Sequence, residues 1–198
     1  NRVCTVVDLE TLKFHIDHVI EKELSAINAQ FGRYDIDLCH GTARFTGPHK
    51  VELIECDEER TISAETIVIS VGTKAFRPPS IPFDDKRIID SDELFVIPEL
   101  PHELAIIGGG VIALEYASIF ALLGIEIHLI SRGDRILSFV DETITDALVK
   151  HLEGQGVTFH LGVKETTYHN PEEGQIEITL DDREKIEVGI ERHDLGLN

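Results

Sequence analysis

The residues best suited to chemistry sit in one short stretch. Gly108-Gly109-Gly110-Val111-Ile112-Ala113 spells G-x-G-x-x-A between the apolar run ELAII and the helix-length run VIALEYASIFALLG. In such a motif the first glycine permits a tight turn and the second lets backbone approach a pyrophosphate. A small third residue lets the helix pack on the strand. Unpaired N–H groups and the positive end of the helix dipole then hold the diphosphate. The same glycines could make a plain turn in an unrelated α/β fold; a position inside a β-α-β unit is what points to a dinucleotide.

A second feature lies where the next strand, IEIHLIS, should end. NAD-selective sites offer Asp or Glu to the ribose hydroxyls there. Here the tip is Leu129-Ile130-Ser131-Arg132, and the strand's acid, Glu126, stands at its beginning. Arg132 and Arg135 are placed where a 2′-phosphate needs a cation, and a guanidinium grips phosphate with a forked pair of donors. A solvated RGDR turn without a ligand is the alternative. With the phosphate reading, NADP(H) is accepted and NAD(H) is not excluded. Glu115 is the third candidate, a carboxylate early in an otherwise apolar helix. It either faces a cofactor pocket or a cation, because burying it unpaired is costly, or lies on an exposed stripe.

Alternating strands and helices must position these groups. ELAIIGG, IEIHLIS and VTFHLG read as strands. VIALEYASIFALLG and DETITDALVKHLEGQG read as helices, the first closed by Gly124 and the second capped by Asp141. That β-α-β-α-β order implies a parallel sheet with right-handed crossovers. A polar-turned β-meander follows through QIEITL and KIEV. Ahead of this region, Leu9 to Ile27 carries an apolar stripe at three-to-four spacing, which predicts an amphipathic helix with Asp8 as N-cap. DIDLCHGTARF, KVELIEC and RTISAETIVISVG predict a meander ending in a buried strand, IVIS. A Pro-rich loop, RPPSIPFDD, and the connector IIDSDELFVIPELP hold the expected boundary between residues 1–93 and 94–198.

Composition narrows the classes. The chain has 198 residues, 42% of them hydrophobic and 28% charged, enough for one or two packed domains. Lys and Arg number 18 against 37 Asp and Glu, a formal net charge of −19. A surface this acidic repels nucleic acid and anionic membranes, and no apolar run is long enough to span a bilayer. The chain begins at Asn1 and has no Met, so it reads as a segment of something longer. Cys4, Cys39 and Cys56 match no zinc or redox spacing and read as inert thiols in a reducing cytosol. His15 and His18, with Asp17 or Glu21, lack a third metal ligand, so no metal site is assigned. No G-x-S-x-G elbow suggests a hydrolase.

The segment AIIGGGVIALEYASIFALLGIEIHLISRGDRIL, with TIVISVGTKAFRPPSIP and HGTARF before it, resembles the flavin-dependent pyridine nucleotide–disulfide oxidoreductases. The resemblance covers nearly all of residues 8–188. It implies an α/β fold: a Rossmann-like NAD(P)-binding domain with a β-meander over residues 94–198, preceded by part of an FAD-binding domain, a helix plus a β-meander, over residues 1–93. It implies that Ser70-Val71-Gly72 form the turn passing close to FAD, and that Gly41-Thr42-Ala43 touch its adenine end. It makes Glu115 the family glutamate near nicotinamide and flavin, paired with a lysine of the FAD domain. For the intact parent it implies an FAD enzyme passing hydride from NADPH to flavin N5 and on to NAD⁺, a cytoplasmic homo-oligomer. A dihydrolipoamide dehydrogenase or related disulfide reductase is the runner-up, which a Cys-x4-Cys pair upstream would favour. A non-catalytic nucleotide-binding fragment is the alternative outside catalysis. The family's first G-x-G-x-x-G, its redox cysteines, the lysine partner and the dimerisation domain are not in this sequence. GIERHDLGLN stands where the last strand of the NAD(P) domain is expected. The chain alone is therefore not expected to hold FAD stably or to turn over.

Overall fold

The structure is a computed structural model that describes residues 9–55, 58–94, 99–172 and 174–189. It divides into two compact units, Glu10–Lys74 and a second that begins at Ala75.

The first unit opens with α1, Leu9–Arg33. Phe14, Val19, Ile20, Leu24 and Ile27 of this helix are exposed, most of them from its apolar stripe. The expected cap, Asp8, lies outside the described residues, as do Cys4 and Cys56. An antiparallel sheet follows, in the order β1 (Thr42–Gly47), β2 (Lys50–Glu55), β3 (Glu58–Ser63). Its register pairs Thr42 with Ile54 and Val51 with Ile62. Only the second half of DIDLCHGTARF is strand, since residues 36–40 are irregular and β1 starts after Gly41. The buried strand expected at IVIS does not form. Residues 67–72 are unpaired, and Val68 and Val71 are 85% and 89% exposed. A lone apolar β-prone run has no ladder to join unless another strand offers an edge, and among the described residues none pairs with it.

The second unit carries the alternation expected from the sequence. β4 (Glu103–Ile107), α2 (Val111–Leu122), β5 (Glu126–Ile130), α3 (Glu142–Glu153) and β6 (Val157–His160) follow in turn. The three strands are parallel in the order β4-β5-β6, with Ile106 opposite Leu129 and Leu129 opposite Phe159. α2 ends through Leu123, and Gly124 takes a φ of 89°, the left-handed position just past a helix end. Asp141 caps α3 by accepting the Thr143 N–H at 2.9 Å.

Successive β5 side chains point to opposite faces. Ile127 and Leu129 join Leu114, Ala117 and Phe120 of α2 and Leu152 of α3 in one core. Ile130 points the other way, into a second core with the antiparallel meander β7 (Thr166–His169), β8 (Ile176–Leu180) and β9 (Glu184–Val188). The segment before β4 is fastened by its charges. Arg77 pairs with Asp85, Asp90 and Glu93, and Asp84 accepts the N–H groups of Lys86, Arg87 and Ile88 and the amide of Asn170. Leu94 from this segment lies in the α2-side core. Among the described residues no helix is long and apolar enough to cross a membrane.

Candidate nucleotide-binding site

β4 delivers its chain into the glycine turn beside the tip of β5. The Gly108 N–H donates to the Ile130 carbonyl at 2.8 Å, and Gly108 has a φ of 137°, open to glycine but hardly to other residues. A Cβ on Gly108 would stand 3.6 Å from that of Ala113, an ordinary contact, so the backbone angle and not crowding calls for glycine here. A Cβ on Gly109 would stand 2.7 Å from Ser131 Oγ, so this glycine is required by the packing of turn against turn.

Gly110 differs from both. It is the N-cap of α2, with φ −89° and ψ −177°, backbone that any residue can adopt. No heavy atom lies within 4 Å of where its Cβ would be. No side chain caps the helix, and its first turn has no acidic residue. The first N–H groups of an α-helix have no intrahelical partner, so here donors face a space that protein atoms leave open. A diphosphate fits that space by charge and by hydrogen bonding.

The β5 tip closes the other side. Ser131 is nearly buried, and its Oγ accepts the Gly133 N–H at 3.2 Å. The Gly162 N–H donates to the Gly133 carbonyl at 3.0 Å and the Leu137 N–H to that of Gly109 at 2.9 Å. Arg132 is exposed and has no hydrogen-bond or ion-pair partner among the described residues. Arg135 is turned toward α3: its Nη2 donates to Thr145 Oγ1 at 3.2 Å, and Nη1 lies 3.8 Å from a Glu142 carboxylate oxygen. The structure thus gathers Gly108–Ala113, Ser131 and Arg132 at one corner and sends Arg135 elsewhere.

Glu115 is exposed, one turn beyond the glycines, on a stripe with Val111, Ile112, Ile119 and Leu122 that is also exposed. In the Glu10–Lys74 unit, Thr42 and Ala43 are exposed on β1, and a Cβ on Gly41 would collide with the Ile54 carbonyl oxygen. That glycine is therefore demanded by β2 itself, whatever else it touches. Ser70, Val71 and Gly72 are exposed.

Sequence reasoning missed two polar groupings. One is Thr145, which is 2% exposed, because nothing in DETITDALVKHL shows that Arg135 will reach it. The other is a histidine pair on β5 and β6. His128 Nδ1 and His160 Nε2 are 3.1 Å apart with the rings stacked, and Glu184 lies 3.5 Å from His160 Nδ1. Burial, then the charge of His160, push His128 below the usual histidine range against the pull of Glu126 and Glu184. The alternation IEIHLI puts His128 on the meander-facing side, but the partner strand was needed to see the pair. Among the described residues no three His, Cys, Asp or Glu side chains converge on a metal-sized point.

Known proteins resemble this chain in sequence and fold. Residues 6–190 match the family model described as pyridine nucleotide-disulphide oxidoreductase. The soluble pyridine nucleotide transhydrogenase of Mycobacterium bovis (strain BCG / Pasteur 1173P2) is 38% identical over 152 residues, 75% of this chain and 32% of its own length. That of Hamiltonella defensa is 42% identical over 149 residues, 72% of this chain and 31% of its own. The chain thus spans about a third of the length of these relatives. Among solved structures, LpdA from Mycobacterium tuberculosis superposes with a TM-score of 0.81 at 18% identity, over 93% of this chain and 41% of that one, a likeness of fold. The HOCl-induced flavoprotein disulfide reductase RclA from Escherichia coli gives 0.65 at 25% identity, over 92% of this chain and 44% of that one. With nearly all of its length matched, the chain belongs to the pyridine nucleotide–disulphide oxidoreductase family.

Proposed function

We propose that this chain supplies the nicotinamide-nucleotide site of an FAD-dependent oxidoreductase that moves hydride between NADPH and NAD⁺. The observation that carries the reading is the bare start of α2: unpaired N–H donors behind Gly110, with open space at its Cβ position. The names of the relatives at 38% and 42% identity, soluble pyridine nucleotide transhydrogenase, support the reaction. Residues 1–93 would then belong to the FAD-binding part and 94–198 to the NAD(P)-binding part of a cytoplasmic homo-oligomer.

When bound, nicotinamide and flavin supply the redox chemistry, and the protein's part is binding and orientation. In this chain the α2 N-terminus takes the diphosphate, and Gly108 and Ala113 keep turn and helix close enough for it to reach the N–H groups. Arg132 takes the 2′-phosphate when it is present. Leu129 to Arg132 carry no carboxylate to repel that phosphate, the acid of the turn being Asp134, and the ribose-binding side tolerates both nucleotides, as exchange between them requires. Glu115, exposed one turn along the helix, would stand beside the nicotinamide, the role that the family resemblance implies for it. Gly41–Ala43 and Ser70–Gly72 would contribute backbone to FAD only together with parts of the intact enzyme.

Disulfide reduction is the second reading, favoured by the likeness to RclA, a flavoprotein disulfide reductase by name. Titration of the chain with NADPH and NADH, followed by nucleotide fluorescence, tests the shared element. Micromolar binding of both supports the site, and failure of both to bind removes it. A flavin assay on the parent, with NAD⁺ or a disulfide as acceptor, then separates the two reactions.

A further inference from the structure

The turn from Ser131 to Leu137 is fastened on three sides. Toward the glycine turn, the Leu137 N–H reaches the Gly109 carbonyl, and Ser131 packs where a Gly109 side chain would be. Toward β6, Ser131 N–H donates to the His160 carbonyl at 2.9 Å, and the N–H groups of Gly162 and Val163 donate back to Gly133 and Ser131. The third side depends on a single guanidinium. Thr145 Oγ1 donates to the Glu142 carbonyl at 3.0 Å, which leaves its lone pairs to accept from Arg135 Nη2 at 3.2 Å. Arg135 Nε is buried without an acceptor, so the inner part of this side chain is committed to the protein. Arg132, three residues earlier, has no such tie.

We propose that Arg135 is a fastener and not a phosphate ligand: buried Thr145 holds it against α3, and the turn so fixed presents Arg132 to the 2′-phosphate of NADP(H). Thr145 and Arg135 are then positioning residues, and Arg132 alone determines the preference for the phosphorylated nucleotide. This rests on the reading of the β5 tip as the 2′-phosphate site. A hollow of about 420 Å³ between the turn and α3, lined in part by Asp134, Arg135, Thr145 and Lys150, gives the guanidinium somewhere to go once Thr145 is lost.

NAD⁺ and NADP⁺ differ only in the 2′-phosphate, so calorimetric titration of the 198-residue chain with each isolates this contact. Thr145→Val should weaken NADP⁺ roughly three- to tenfold, less than the loss of one whole charge-assisted hydrogen bond because Arg132 is displaced and not removed, and NAD⁺ less than about twofold. Thr145→Ser, which keeps the hydroxyl, should restore the ratio. The sign discriminates: were Arg135 itself the ligand, freeing it would leave NADP⁺ unchanged or tighten it, and either result overturns the proposal. Arg135→Gln should lower the same ratio, and the double variant should be no worse than the worse single one, since both break one linkage. Additive losses would overturn the proposal as well, and an unchanged ratio in Arg135→Gln overturns it even if Thr145→Val fails to fold. Arg132→Ala separates the two levels. If it leaves the NADP⁺/NAD⁺ ratio unchanged, the phosphate reading beneath the proposal fails; if it abolishes the ratio while Thr145→Val does not touch it, only the fastener fails.

Discussion

Gly110→Ala is the most direct test of where the diphosphate sits, because the protein itself barely registers the new methyl group. The backbone there, φ −89° and ψ −177°, suits an L-residue, and the Cβ would meet no heavy atom within 4 Å. Ala is a poorer N-cap than Gly by roughly 0.5–1 kcal/mol. Replacing Gly where the backbone allows it recovers about 0.4–1 kcal/mol by restricting the unfolded chain. The two effects offset, so the stability of the unliganded chain should stay within about 0.5 kcal/mol of the original. Binding should respond very differently. The methyl group projects into the space the diphosphate needs, pushing it off the helix start. One or two charge-assisted bonds at about 1.5–3 kcal/mol each, with about 0.3–1 kcal/mol from the helix dipole, are then forfeited. A loss near 2–4 kcal/mol is about 30- to 1,000-fold in Kd. Thermal melting without ligand and fluorescence titration with NADPH give both quantities on one sample. Unchanged affinity with an unchanged melt would refute the placement, since nothing else about Gly110 has been altered.

The other substitutions divide by mechanism. Gly109→Ala should lose stability before it loses nucleotide, because its Cβ would lie 2.7 Å from Ser131 Oγ; a melt equal to the original contradicts that packing. Leu129 is fully buried in the core it shares with α2 and α3, and Leu129→Ala should cost about 2–5 kcal/mol in urea unfolding. Burial opposes ionisation of Asp84, but the N–H of Ile88, the Asn170 amide and the N–H groups of Arg87 and Lys86 outweigh it and lower its pKa to about 2. Asp84→Ala should therefore destabilise the segment before β4 by roughly 1–3 kcal/mol, as unpaired donors do, with an unchanged urea midpoint as the contrary result. Burial and His160 hold His128 below its ordinary value, so the unfolded chain takes up that proton at a higher pH than the folded chain. Stability present above a pH of about 6.5 is then lost as pH falls below it. His128→Gln should flatten the fall in melting temperature between about pH 7.5 and 5.5; parallel curves would show that the pair is not responsible.

The unit that begins at Ala75 was legible because its signals are local. Gly108–Ala113 after an apolar run, Gly124 past a helix end and Asp141 before one each specify backbone within a few residues. The fold confirms α2, α3 and the three parallel strands they connect. Partners distant in sequence were not legible. A mostly apolar stretch such as VIALEYASIFALL does not show which side of the helix is covered, and the structure exposes Val111, Ile119 and Leu122 beside Glu115. IVIS has the composition of a buried strand, but composition cannot supply the neighbouring edge that a strand requires. Arg132 and Arg135 look equivalent in RGDR. Only the turn of Arg135 toward α3, where Thr145 ten residues on accepts from it, makes them different.

The two units are unequal in the contribution that matters most for stability. Among the described residues of Glu10–Lys74, Leu53 is the one buried apolar side chain, while the unit that begins at Ala75 carries both apolar cores. Burying a large aliphatic side chain contributes roughly 1.5–3 kcal/mol, against an ordering cost of about 1–2 kcal/mol for each residue's backbone. A unit with one such side chain is far weaker than one whose two cores share a sheet. Every group assigned to the nicotinamide nucleotide, from Gly108 through Arg132 to Thr145, lies in the stronger unit. Nucleotide binding should therefore persist under mild denaturant that already melts α1 and β1–β3. The order of events, helix signal and hydrogen-exchange protection of Glu10–Lys74 lost first and NADPH affinity last, follows from where the apolar residues are buried. If affinity falls in step with α1, the stronger unit cannot hold the glycine turn by itself, and the site needs both.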